Sequence, residues 1–96
     1  MPLVNLFYPF HGIFYEMIAA SQIRAARALV RWSAERLAEQ SGLSWKTIQR
    51  LESADGVPSS NVRTLGAIKK TLETAGVDFI DADDEFGPGV RLREPE

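Results

Sequence analysis

The chain has 96 residues, 45% of them hydrophobic and 25% charged, a length and composition suited to one small soluble domain rather than two. It has no cysteine; this excludes a disulfide framework, a cysteine nucleophile and thiolate metal sites, and it fits a reducing cytoplasm. The net charge of −2 conceals an uneven distribution: residues 21–70 hold nine Lys or Arg against four acids, net +5, whereas residues 71–96 hold two Arg against eight acids, net −6.

Residues 1–16, MPLVNLFYPFHGIFYE, are apolar and aromatic, interrupted by Pro2, Pro9 and Gly12. The stretch lacks the Lys or Arg of a signal-peptide n-region, and it is too short and broken to span a bilayer. Met17 follows directly, and residues 1–19 are set apart as an N-terminal extension with two readings: Met17 is the natural start, or the first 16 residues are an extra ordered segment packing on the domain. The only histidine, His11, lies in this stretch, so a histidine-based metal or acid/base site has almost no raw material.

From residue 21 the apolar spacing becomes helical. Ser21 is placed to cap a first helix whose apolar face is Ile23, Ala26, Val30 and the neighbouring Leu29. Ser33 is placed to cap a second helix, with Trp32 before it packing toward Leu37. Gly42 ends that helix, since glycine takes the left-handed conformation at little cost. Leu43-Ser44 repeats the entry device, Ser44 capping a third helix and Leu43 facing Ile48. Gly56 and Pro58 mark a loop. A fourth helix starts near Ser60 or Asn61, with Val62, Leu65, Ile68, Leu72 and Ala75 on one buried face, and Gly76 stops it. VDFI (77–80) and GVRL (89–92) then read as two short strands, joined by a connection that is long for a hairpin.

The segment SAERLAEQSGLSWKTIQRLE (33–52) holds two short capped helices around a glycine turn. Leu37-Ala38, Gly42 four residues after Ala38, Ile48 six residues further and Leu51-Glu52 are the marks by which it resembles the helix-turn-helix of the phage-repressor/Cro (Xre) type. The resemblance covers roughly residues 20–76, and the tail is also similar to short proteins of that kind ending in an FI…GVRL segment. It implies an all-α, lambda-repressor-like bundle of four helices with a short C-terminal β appendage. It also implies a second motif helix that docks in the major groove of double-stranded DNA. The outward positions that match are Ser44, Trp45, Lys46, Gln49 and Arg50, with Arg50 suited to guanine and Gln49 to adenine. Ser33 and Ser44, with the N–H groups after them, suit phosphate contacts. Arg63, Lys69 and Lys70 either flank the DNA or offset the acidic tail. Trp45 replaces the polar residue common at its position in the phage proteins. It has two readings: packing on a thymine methyl or a sugar, or serving as a core or dimer residue. Ala34 stands where the family often has a phosphate-binding Gln, which implies weaker clamping. Arg27 and Glu52 match a structural ion pair between the first helix and the reading helix.

The expected activity is transcription regulation, most simply repression, by a cytoplasmic homodimer on a palindromic site, with no enzyme activity, cofactor, metal or membrane association. The acids Asp81, Asp83, Asp84 and Glu85 lack the spacing of a calcium loop. The alternative is an antitoxin-like module whose main partner is a protein such as a toxin, met by the acidic tail (77–96) through Phe79, Ile80 and Phe86. A third reading has that tail folding back over the basic face as a mimic of DNA.

Overall fold

The computed structural model describes residues 17–94. The reading of Met17 as the natural start concerns residues 1–16, which, with His11, lie outside the described residues. Four helices are followed by a two-stranded antiparallel sheet: α1 (Ala20–Val30), α2 (Ala34–Ser41), α3 (Trp45–Glu52), α4 (Val62–Thr74), β1 (Val77–Ile80) and β2 (Gly89–Leu92). The architecture is a helical bundle with a small β appendage. None of the helices among the described residues is long and apolar enough to cross a membrane.

The start of α1 corrects the sequence reading. Ser21 does not cap it; the N-cap is Ala19. Gln22, at the third helical position, supplies the side chain of the cap, its Oε1 accepting the Ala19 N–H at 2.8 Å. A reaching-back Gln at this position is half of a capping box. It satisfies a backbone donor that helical geometry leaves without a partner. Ile18 and Ala19 are buried in the bundle, so the folded unit includes residues assigned above to the extension. At its other end α1 closes on Arg31 at φ +60°, a left-handed residue that is not glycine. The Trp32 N–H then reaches the Arg27 carbonyl at 2.9 Å.

The middle helices follow the expected devices. Ser33 Oγ accepts the Arg36 N–H at 3.0 Å, and Ser44 Oγ accepts the Thr47 N–H at 3.1 Å. Gly42 sits at φ +75°, and its N–H and that of Leu43 both bond to the Ala38 carbonyl. A Cβ there would meet nothing within 4 Å, so glycine is required for its backbone conformation and not for space. Asn61 caps α4, its Oδ1 accepting the Thr64 N–H at 2.7 Å.

The core is one cluster: Ile18, Ile23, Ala26, Leu37, Ala38, Ile48, Leu51, Leu65, Ile68, Leu72 and Val77. Leu29 and Val62, expected on buried faces, are exposed, and Ala75 is only half-buried. Lys69 instead occupies the inner face of α4, 3% exposed.

The hairpin has the register Val77↔Leu92, Asp78↔Arg91, Phe79↔Val90 and Ile80↔Gly89. Val77 enters the core, with Phe79 and Val90 packed against it. The hairpin is thus packed on the helical bundle through these three residues. Residues 81–88 are exposed along their whole length, so the acidic segment does not fold back over another face of the protein. The Asp83 carboxylate holds this loop in a tight turn, accepting the N–H groups of Glu85 at 2.8 Å and Phe86 at 2.7 Å.

Candidate nucleic-acid interface

The α2–turn–α3 unit sorts its side chains by position. Leu37, Ala38, Ile48 and Leu51 point inward and are buried, three of them fully. Truncating a buried Ile or Leu of this kind to Ala costs about 2–5 kcal/mol, a large part of the 5–15 kcal/mol (roughly) that holds a small domain together. The inward set therefore fixes how α3 is carried.

What α3 offers to solvent is a single arc. At about 100° per residue, Trp45, Gln49, Ser53, Lys46 and Arg50 fall within about 140° of one another on the helix surface. All five are exposed. Ser44, just before the helix, is exposed as well, and its hydroxyl is donated to Thr47 Oγ1 at 2.9 Å. Ser33 is exposed at the start of α2. The first turns of both helices carry N–H groups that intrahelical bonding cannot satisfy.

Trp45 is 42% exposed, and this removes the core alternative for it. Its indole is the one large apolar group on an otherwise polar arc. Arg50 is not fully free. Its Nη1 donates to the Ser59 carbonyl at 3.2 Å, tying it to the loop before α4. An arginine has five N–H donors in a rigid fork, so this bond leaves the Nε and Nη2 donors for other partners.

The sequence matches no family model, and no curated protein matches it.

The C-terminal end of α3 is gripped by α1. Arg27 and Glu52 form a forked pair, Nε to Oε2 at 2.7 Å and Nη2 to Oε1 at 2.9 Å. The side chains are 24% and 10% exposed. Arg27 Nη1 also donates to the Trp32 carbonyl at 3.0 Å. The hydrogen bonds to Glu52 raise the Arg27 pKa above the usual arginine range; burial works the other way, and the charges of Glu52 and Glu35 reinforce the rise. Arg24 adds a bond from Nη1 to the Glu52 backbone carbonyl, at the negative end of the α3 dipole. One residue, Glu52, is thus held by its carboxylate and by its carbonyl.

Two further side chains were not foreseen. Gln22 is buried, and its Nε2 donates to the carbonyls of Ile80 at 3.3 Å and Gly89 at 3.0 Å. It ties the mouth of the hairpin to the start of α1. The available signal was a Gln three residues after Ala19, obscured by a serine that looked like the cap. Lys69, expected at the DNA flank or facing the acidic tail, is buried instead. Its Nζ lies 3.6 Å from Glu73 and 5.9 Å from the centre of the Phe79 ring, so it fastens α4 to β1. Lys70 and Arg63 remain exposed.

Proposed function

We propose that this protein is a sequence-specific, double-stranded-DNA-binding transcriptional regulator, most simply a repressor. In this reading the bundle is of the lambda-repressor-like kind and α3 enters the major groove. The observation that carries it is the sorting of α3: Ile48 and Leu51 fully buried, with Trp45, Lys46, Gln49 and Arg50 exposed on one arc. A helix of this width fits the major groove, where each base pair shows a distinct pattern of donors and acceptors. Arg50 offers a fork to guanine O6 and N7, Gln49 an amide to adenine, and Lys46 a point charge to base or phosphate. Ser33, Ser44 and the open N–H groups of the two helix starts face phosphates. The protein acts on cytoplasmic DNA as a homodimer, since one small module makes few phosphate contacts and two copies on a palindrome double them.

Affinity selection from a library of random duplexes tests this reading. The expected result is one enriched motif with two related half-sites about 10 base pairs apart, or a multiple of that. Selection that enriches no sequence with folded protein overturns it.

A second reading rests on Phe86, which is 70% exposed at the end of the Asp83 turn, directly after Asp84 and Glu85. An aromatic residue presented in this way suits capture by a protein partner, as in an antitoxin. A toxin-like neighbour in the same operon, and co-purification with its product, favours that reading.

A further inference from the structure

Trp45 is a large side chain out of place on a polar face. Exposed aromatics are costly to leave in water: about 25 cal/mol is lost for each Å² of apolar surface left there. Its position, first in α3 and beside Gln49 on the arc, follows from helical geometry. It makes no cation–π contact among the described residues, in contrast with Trp32, which lies under Arg36 at 5.8 Å and packs on the core. The two tryptophans therefore do different work, and Trp45 is left without a folded-state task.

The major groove presents few apolar groups, and the one that an indole can bury is the C5 methyl of a pyrimidine. We propose that Trp45 is a specificity-determining residue of the interface, reading a pyrimidine C5 methyl group by apolar contact. This rests on α3 being the groove-reading helix. Thymine supplies that methyl in any DNA, and 5-methylcytosine supplies it in methylated DNA. Lys46, Gln49 and Arg50 end in hydrogen-bonding groups, and Trp45 is the large apolar group on the arc, so it is the member best suited to separate thymine from uracil, whose polar edges are identical.

The test uses the full-length protein and duplexes enriched from the random library, each thymine replaced in turn by deoxyuridine. Loss of a single buried methyl predicts roughly fourfold weaker binding at one thymine per half-site and no change elsewhere. In Trp45→Ala that sensitivity disappears while the preference at the Arg50 and Gln49 positions is kept. A preferred cytosine whose 5-methylation strengthens binding assigns the methyl to 5-methylcytosine instead. As a readout free of the variant's affinity, Trp45 emission in Trp32→Phe shifts on binding the thymine duplex, and shifts less on the uracil duplex. An enriched motif bound equally well with uracil at every thymine and unaffected by 5-methylation at every cytosine overturns the inference and leaves the DNA-binding reading standing. No enriched motif at all overturns both.

Discussion

Glu52 shows how much one side chain can carry at a helix end. An exposed ion pair contributes about 0–1 kcal/mol, and breaking a fully buried one costs about 3–5 kcal/mol. With Arg27 and Glu52 mostly but not completely covered, Glu52→Gln is expected to cost about 2 kcal/mol, between those limits. A domain of this size then melts roughly 10 °C lower. Thermal unfolding by circular dichroism checks it, with Asp78→Asn as the control. The Asp78–Arg91 pair is geometrically as close, 2.8 Å, but 47% and 70% exposed, and its removal should leave the Tm nearly unchanged. Because Arg27 is raised above an already high pKa, its side of the Glu52 pair is fully present below the usual arginine range. It is lost only in strong alkali.

Asp83 has the opposite sign. The N–H groups of Phe86 and then Glu85 hold its carboxyl below the ordinary aspartate range. A group whose pKa falls on folding contributes above its unfolded pKa, and the contribution is lost as pH drops through the lower folded value. The turn around Asp83 is therefore intact at neutral pH and opens in acid. The amide resonances of Glu85 and Phe86 should titrate together, with a midpoint below that of an unstructured aspartate. A midpoint at the ordinary value contradicts the turn.

At the scale of elements, α1 is the hub. Its first residues meet the hairpin through Gln22 and the α3–α4 loop through the Ala20 N–H, which reaches the Gly56 carbonyl at 2.9 Å. The next turns hold the C-terminus of α3 through Arg24 and Arg27. Gln22→Ala removes a cap, worth about 1 kcal/mol, and strips a donor from two carbonyls at the strand ends. We expect a loss of about 2 kcal/mol in denaturant titration, with faster hydrogen exchange concentrated in β1 and β2. Unchanged exchange in the strands would mean that Gln22 caps the helix without latching the hairpin.

Local signals were the most legible part of this fold. Ser33 and Ser44 act through side-chain caps and Gly42 and Gly76 through backbone conformation, all within a few residues of themselves, and the strand pairing followed from two short apolar runs. Contacts distant in sequence were not legible. Gln22 and Gly89 are 67 positions apart, and periodicity carries no trace of that bond. Lys69 misled for a related reason: a lysine reads as surface until a partner such as Glu73 and a ring such as Phe79 let its stem bury. The outward arc of α3 was readable because Ile48 and Leu51 fix which side faces in. The tie between Arg50 and Ser59 was not, since it depends on the path of an irregular loop.

The molecule as a whole separates a basic bundle from an acidic hairpin. The hairpin cannot simply be cut away, because Val77 lies in the core and Phe79 and Val90 cover it. Truncation after Gly76 should therefore destabilise the domain before it says anything about charge. Neutralising the exposed acids, as Asp81→Asn, Asp84→Asn and Glu85→Gln together, isolates the electrostatic effect. Residues 81–88 are exposed along their length, so on the DNA-binding reading proposed above the loop would act on DNA only at a distance. The expected outcome is a modest gain in affinity at low salt that fades near physiological ionic strength, where screening acts over about 8 Å. A large gain that persists in salt would instead point to direct occlusion of the basic face.

In the proposed function, α3 reads base edges through its exposed arc. The most direct measurement is fluorescence anisotropy of a selected duplex and a scrambled one, at two salt concentrations, with wild type beside Arg50→Ala. Wild type is expected to bind in a salt-sensitive way, with a clear preference for the selected duplex. In Arg50→Ala the preference falls by about 1–3 kcal/mol, while the weak, sequence-independent binding remains. Equal affinity of wild type for both duplexes, or a preference untouched by Arg50→Ala in a folded protein, would contradict it.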